Sequence, residues 1–382
     1  MANNDKKISK DQFQPIELSA DKGEELSRPE ISYWKDAWIR LRKNKGAITG
    51  LIVLIFIVFM ALVGPIMNEY AFDEDNYEAT NLPPRVEGLE WLGLNGHQSW
   101  EVQGETPEAA IENGLTGYEV DEQYLISSEI VEEPTEENNN YYTVEMTVDI
   151  YPAKGLQEEN YWFGTDKFGR DLWTRIWKGT QISLYIGLLA ALIDMVIGVI
   201  YGGVSGYYGG RIDNFMQRII EILTGIPNLV VVILAIIVLD PGILAITIAL
   251  TITGWTGMAR IVRGQVLKLK NQEFVLAART LGSNDTRILM KHLIPNVTGM
   301  IIINTMFTIP SAIFFEAFLS FIGLGLQAPI ASLGTLIDSA FDSYRTYPYM
   351  LVYPAIIISL LMIGFNILAD GLRDALDPKM RK

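Results

Sequence analysis

The run Gly46–Met67, GAITGLIVLIFIVFMALVGPIM, carries no charge along its whole length. A helix rises 1.5 Å per residue, so about 20 apolar residues cross a hydrocarbon core of about 30 Å. The stretch therefore reads as a membrane span, and the bilayer becomes the solvent that decides the fold. Working outward, apolar stretches at Ile182–Tyr201, Ile219–Leu239, Ile243–Ala259, Val297–Phe318 and Met350–Leu368 bring the expectation to about six spans and an all-α integral membrane protein. Composition agrees, with 49% of the 382 residues hydrophobic and 20% charged.

The net charge of −15 is unevenly placed. Between Met67 and Asn160, Arg85 and Lys154 are the only Lys or Arg residues against 23 Asp and Glu, so the remainder of the chain is net basic. Arg40, Arg42, Lys43 and Lys45 stand directly before the first span, which sets a cytoplasmic N-terminus. With an even number of spans both termini are cytoplasmic. Residues 1–45 are then a cytoplasmic tail, 46–67 the first span, 68–160 an extracytoplasmic acidic loop, and 161–378 a core of five further spans. Lys167, Arg170, Arg175 and Lys178 fall on the outer side and oppose this assignment. The polar stretch up to Ser32 lacks the apolar core and cleavage site of a signal peptide.

Gly198, Gly202 and Gly206 line one face of the second span at a spacing of four and predict close helix packing. Asp194 and Glu316 lie in apolar segments, where an ionisable group marks a pathway or an interhelical pair; Glu316, near a span end, could instead snorkel to the interface. Cysteine is absent, the histidines are His97 and His292 alone, and no phosphate loop or zinc helix is present. Metal binding and enzymatic activity of the chain's own are not expected, and its acidic balance disfavours nucleic acid.

The loop 265–295 carries the most specific pattern. Gln272 to Leu281 is a good helix former with Val275, Ala278 and Leu281 at helical spacing, a face suited to a groove on a soluble partner. Gly282 should stop that helix, Ser283 or Asp285 cap a second, and Pro295 end it. The spacing Ala277-Ala278-x3-Gly282, followed by Pro295, resembles the EAA loop of permeases in binding-protein-dependent ABC importers. Companion motifs sharpen the likeness: Phe163-Gly164-Thr165-Asp166-x3-Arg170-Asp171, Gly206-Tyr207-Tyr208-Gly209-Gly210-x2-Asp213, Leu319-Ser320-Phe321-Ile322-Gly323-Leu324-Gly325, and Asn366-x3-Asp370-Gly371-Leu372-Arg373-Asp374-x2-Asp377-Pro378. Over about Ser32–Pro84 and Tyr161–Pro378 the chain resembles the second permease of the oligopeptide, dipeptide and nickel importers. Leu276 departs from the family's acidic residue, and His292-Leu293-Ile294-Pro295 replaces the usual Ile-x-Leu-Pro.

The resemblance implies a type I ABC importer permease fold in a bacterial cell membrane. It implies a homologous second permease in a heterodimer, two ATP-hydrolysing subunits that hold ATP and Mg, and an extracytoplasmic peptide-binding protein. This chain would bind no cofactor and would couple to the ATPases through 272–295. Nickel or another small solute is the alternative cargo. An ion-coupled secondary transporter is the alternative class, suggested by the Gly225-Ile226-Pro227 break in the third span.

Leu94–Asn160 does not match the family pattern and reads as an inserted accessory module. Val144, Met146, Val148 and Ile150 alternate with polar residues across Tyr141–Ile150, the period of a half-buried strand. Tyr124–Val131 is a weaker second strand. Two strands are marginal alone, so further strands within Glu101–Val120 or packing on a neighbour are needed; the opposing expectation is a disordered acidic loop.

Overall fold

The computed structural model describes residues 32–136, 138–327 and 329–376. A short amphipathic helix, α1 (Tyr33–Lys43), turns at Asn44, whose side chain caps α2 (Lys45–Val63), the first span. Ile52, Ile55, Phe56 and Phe59 of α2 are each more than half exposed, as a lipid-facing surface requires. The acidic segment follows with β1 (His97–Gly104), α3 (Pro107–Gly117), β2 (Leu125–Glu132) and β3 (Tyr142–Asp149). The remaining helices are α4 (Leu172–Tyr208), α5 (Gly210–Gly225), α6 (Asn228–Leu239), α7 (Ile243–Leu269), α8 (Glu273–Thr280), α9 (Asp285–Phe321), α10 (Leu333–Phe341) and α11 (Tyr349–Leu376).

Five of these are long and apolar enough to cross a membrane: α2 extended to Ile66, α4, α7, α9 and α11. The expected third span, Ile219–Leu239, is not one straight helix. Its first residues belong to α5, its last to α6, and the two axes differ by 81°. Pro227 lacks an N–H and drives Ile226 into extended backbone (φ −89°, ψ 125°), which ends α5 at Gly225. The count is six only if this bent pair makes one crossing.

Two other boundaries differ from expectation. Residues 265–269 belong to α7, so the loop begins at Lys270. Pro295 does not end a helix: Asp285–Phe321 runs on through it, with a π-helical turn over Ile288–Leu293 widening the ladder just ahead of the ring that cannot donate.

The first and last spans meet through small residues. A Cβ on Gly50 would stand 2.9 Å from the Gly364 carbonyl oxygen, and one on Gly371 would stand 2.2 Å from the Ala47 Cβ. Leu54, Ile57, Ile176, Ile313, Leu336 and Leu361, from α2, α4, α9, α10 and α11, share one buried cluster.

The acidic segment is folded. Its antiparallel sheet has the order β1-β3-β2, with Val102 opposite Val144 and Trp100 opposite Met146. Val144, Met146 and Val148 are at most 1% exposed, the buried face that the alternation predicts. The third strand, β1, starts ahead of Glu101, and α3 occupies the rest of the stretch expected to supply strands. The core is not confined to 94–160: Ala79, Leu82 and Tyr161 pack in the same cluster as Trp100, Met146 and Tyr151.

Candidate functional site

Helix α4 is the frame on which the functional parts hang. At 37 residues it extends about 55 Å, with the acidic β-sheet module at its N-terminus and the 270–295 loop at its C-terminus. Asp171 caps it by accepting from the Thr174 N–H at 2.8 Å, and burial pushes the Asp171 carboxyl up in spite of that bond and one from Asn68. Beside it Asp166 Oδ2 takes the Nε and a terminal nitrogen of Arg170, both at 2.8 Å, with Arg175 Nε at 3.5 Å. Arg175 also donates to the Phe72 carbonyl. Two of the four basic residues that opposed the topology are thus buried in a local ion network instead of standing free in the flank.

Along its lower half α4 lies against α7 through the three spaced glycines. A Cβ on Gly198 would be 2.6 Å from the Met258 Cβ, one on Gly202 2.2 Å from the Ala259 carbonyl oxygen, and one on Gly206 2.8 Å from that of Arg263. A turn above Gly198, Gly254 of α7 leaves room for Asp194, whose Oδ2 would be 2.2 Å from a Cβ there. The seam continues into a polar clamp that sequence reading did not identify. Arg263 donates Nε and a terminal nitrogen to the two oxygens of Asp213 at 2.5 and 2.6 Å, and Ser205 Oγ donates to Asp213 Oδ1 at 2.5 Å. The clamp fixes α5 to α4 and α7. Gly209, at φ 67° and ψ −164°, makes the sharp corner between α4 and α5 that a side chain would resist. Asp213 was visible as part of a motif, but its partner lies 50 residues away.

The loop forms a knob clasped to the end of α4. Gly282 at φ +81° closes α8 with a Schellman arrangement, the Ser283 N–H reaching the Ala278 carbonyl at 3.1 Å and the Gly282 N–H that of Arg279 at 3.0 Å. Asn284 caps the next helix by accepting from the Arg287 N–H at 2.8 Å, not Ser283 or Asp285; Asp285 instead accepts from the Tyr207 hydroxyl at 2.6 Å. Val275 and Ala278 do not face outward as expected. They are buried against Tyr207, Val262, Val266 and Ile288 of the chain itself. The surface left open carries Phe274, Leu276, Ala277 and Leu281, the last 87% exposed. Pro295 is exposed one helical stretch away.

Between α4, α6, α7 and α9 lies a cavity of about 410 Å³. Its polar lining is Asp194, Asn228, Asn304, Thr308 and Ser311, with Phe307 and Phe315 among the apolar walls. Glu316 is elsewhere: fully buried, it accepts from Ser183 and Ser320 hydroxyls at 2.9 Å each, and the Leu333 N–H at the start of α10 donates to Ser183 Oγ at 3.3 Å. Glu316 therefore neither lines this cavity nor reaches the interface; it ties α4, α9 and α10 together.

The comparisons agree with this architecture. The family model of binding-protein-dependent transport system inner membrane components matches residues 195–382, and that of the N-terminal transmembrane domain of oligopeptide transport permease C matches 32–84. The chain is 40% identical to the oligopeptide transport system permease protein OppC of Bacillus subtilis, over 98% of this chain and 99% of that protein. It is 42% identical to the dipeptide transport system permease protein DppC of the same organism, over 94% and 89%. Neither family model includes 85–194. Among solved structures, an inward-facing MetNI methionine ABC transporter chain superposes with a TM-score of 0.44 at 19% identity, over 52% of this chain and 94% of that one.

Proposed function

Because the chain belongs to the family of binding-protein-dependent transport system inner membrane components, we propose that it is a permease subunit of an ATP-driven peptide importer, lining half of the pathway and coupling to ATPase subunits through its 270–295 knob. The peptide cargo is carried over from the oligopeptide and dipeptide permeases to which it is similar. A homologous second permease would face the cavity side, two ATP-hydrolysing subunits would hold ATP and Mg, and an external binding protein would deliver substrate. Both termini would lie in the cytoplasm.

The observation that carries this reading is the two-sidedness of α8. Its inner face is built into the chain through Val275 and Ala278, while Phe274, Leu276 and Leu281 are presented on a rigid knob at the end of α4. A helix packed in this way transmits a push on its outer face directly to the α4–α7 seam, because packed interiors yield little. The uncharged outer residues suit a groove in a soluble subunit.

The two faces give separable tests. Leu281→Asp should leave the permease folded and reduce co-purification of the ATPase subunits and uptake together, by about tenfold or more. Gly282→Glu should do the same, since the left-handed backbone is strained by any side chain although the space around it is open. Val275→Asp, which buries a charge, should instead lower accumulation of the permease itself. Parental uptake and ATPase association in both Leu281→Asp and Gly282→Glu would overturn the coupling role.

A further inference from the structure

Asp194 is 5% exposed and makes no hydrogen bond or ion pair with any described residue, and its Oδ1 is sealed from solvent. A carboxylate held this way in the interior of a membrane protein is costly and calls for a partner that arrives from outside the chain. Its Oδ2 is not sealed, and the residue lines the 410 Å³ cavity. Among the residues lining that cavity there is no Lys, Arg or His, so Asp194 is its one ionisable group.

The polar lining on α9 is biased the same way, whereas Asn228 of α6, whose Oδ1 accepts from the Thr253 hydroxyl at 2.5 Å, keeps amide N–H donors. Thr308 Oγ1 donates its proton to the Asn304 carbonyl at 3.0 Å and Ser311 Oγ donates to that of Phe307 at 2.9 Å, each one turn back along α9. Lone pairs are what those hydroxyls have left. Asn304 uses one N–H of its amide on the Met300 carbonyl at 2.8 Å, which leaves its oxygen and a second N–H. The cavity thus offers one anion and a set of acceptors on α9, complementary to a group with several N–H donors and a positive charge. Its volume falls in the range of small-ligand pockets, and Phe307 and Phe315 supply apolar wall for a side chain.

We infer that Asp194 receives the α-ammonium group of the translocated peptide, with the Thr308, Ser311 and Asn304 oxygens accepting from the same ammonium or the first peptide N–H. The inference rests on the peptide reading of the preceding subsection. An alternative origin of the counter-charge, a basic side chain of the second permease, is separated from it by the experiment below.

Ile261→Cys places a thiol on the cavity wall, outside the proposed ligand set, in a chain that has no cysteine of its own. In the full complex, reconstituted in nanodiscs with its partner permease, ATPases and external binding protein, labelling of this thiol by a maleimide is read on this chain's band while tri-alanine or N-acetyl-tri-alanine is added. Tri-alanine should protect at about tenfold lower concentration than the acetylated peptide, the ratio for losing one charge-assisted hydrogen bond. Asp194→Asn should bring the two peptides together and Asp194→Glu should keep them apart. Equal protection by both peptides with Asp194 present overturns the inference and leaves the peptide reading intact. Loss of the second permease from the Asp194→Asn complex assigns the carboxylate to an intersubunit ion pair and also overturns it. Absence of protection by either peptide overturns the peptide reading, and the inference with it.

Discussion

Single residues on α4 carry consequences out of proportion to their size. At Gly202 the first added carbon would meet the Ala259 carbonyl at 2.2 Å, a backbone atom that cannot turn aside. Gly202→Val should therefore force α4 and α7 apart, at a cost of about 1–3 kcal/mol, seen as a lower melting temperature of the purified complex. Gly264 of α7 is the control, since a Cβ there meets nothing within 4 Å. Gly264→Ala should leave the melting temperature unchanged or raise it, by the helix preference of about 0.5–1 kcal/mol. Equal loss in both variants would mean that the seam is not tightly packed. The glycine spacing on α4 was legible in the sequence; the matching carbonyls on α7 were not, because a backbone approach leaves no trace in side-chain identity.

The external module shows what an element owes to its surroundings. Its alternating strand β3 was readable from Val144, Met146 and Val148, and β2 to within a residue. What the pattern could not supply was closure, which comes from β1, from α3 and from Ala79 and Leu82 outside the segment. Tyr151 joins the two parts, fully buried and donating its hydroxyl to the Pro83 carbonyl at 2.8 Å. Tyr151→Ala should cost about 3–5 kcal/mol and make the external region sensitive to added protease in spheroplasts. Tyr151→Phe should lose only about 0.5–1.5 kcal/mol. Replacing residues 134–140 with Asn-Gly should be tolerated, since the β2–β3 pairing ends at Glu132 opposite Thr143 and the loop beyond it is surface. A protease-sensitive loop variant alongside a resistant Tyr151→Ala would reverse this account.

At the scale of the whole molecule, α4 separates the acidic module from the knob by about 55 Å, more than the thickness of a bilayer. Their opposite sides follow if α4 crosses, and the parity of the remaining spans turns on the bent α5–α6 pair. Cysteines introduced at Glu122 and Ser283 are both reachable, because Glu122 is exposed and Ser283 half-buried. In intact cells a membrane-impermeant thiol reagent should label position 122 and spare position 283. Labelling of 283 but not 122 would invert the orientation proposed here. A third cysteine at Asp370, near the end of α11, should be protected together with position 283, because α9 and α11 make two crossings between them; labelling of 370 alone would mean that one of those two helices does not cross.

The sequence alone determined the solvent of this protein, the position of nearly every membrane helix, the family and the strand phase of the module, since all of these depend on local composition and on periods of two or four residues. It could not determine which face of α8 is inward, how Pro295 is accommodated or, although the Gly225-Ile226-Pro227 break was legible, the 81° by which the third span turns there. Those outcomes depend on competing partners brought together by the fold. Val275 and Ala278 were apolar under either reading, and only the neighbourhood of Tyr207, Val266 and Ile288 decided where they went. The same holds for the acidic residues in the apolar segments. Asp194 and Glu316 looked alike as charges in hydrocarbon, yet Glu316 is satisfied by two serines from different helices while Asp194, beside a cavity, has no partner among the described residues. Hydrogen-bond satisfaction is a property of three-dimensional neighbours, and tertiary structure alone distinguishes a strut from an open valence.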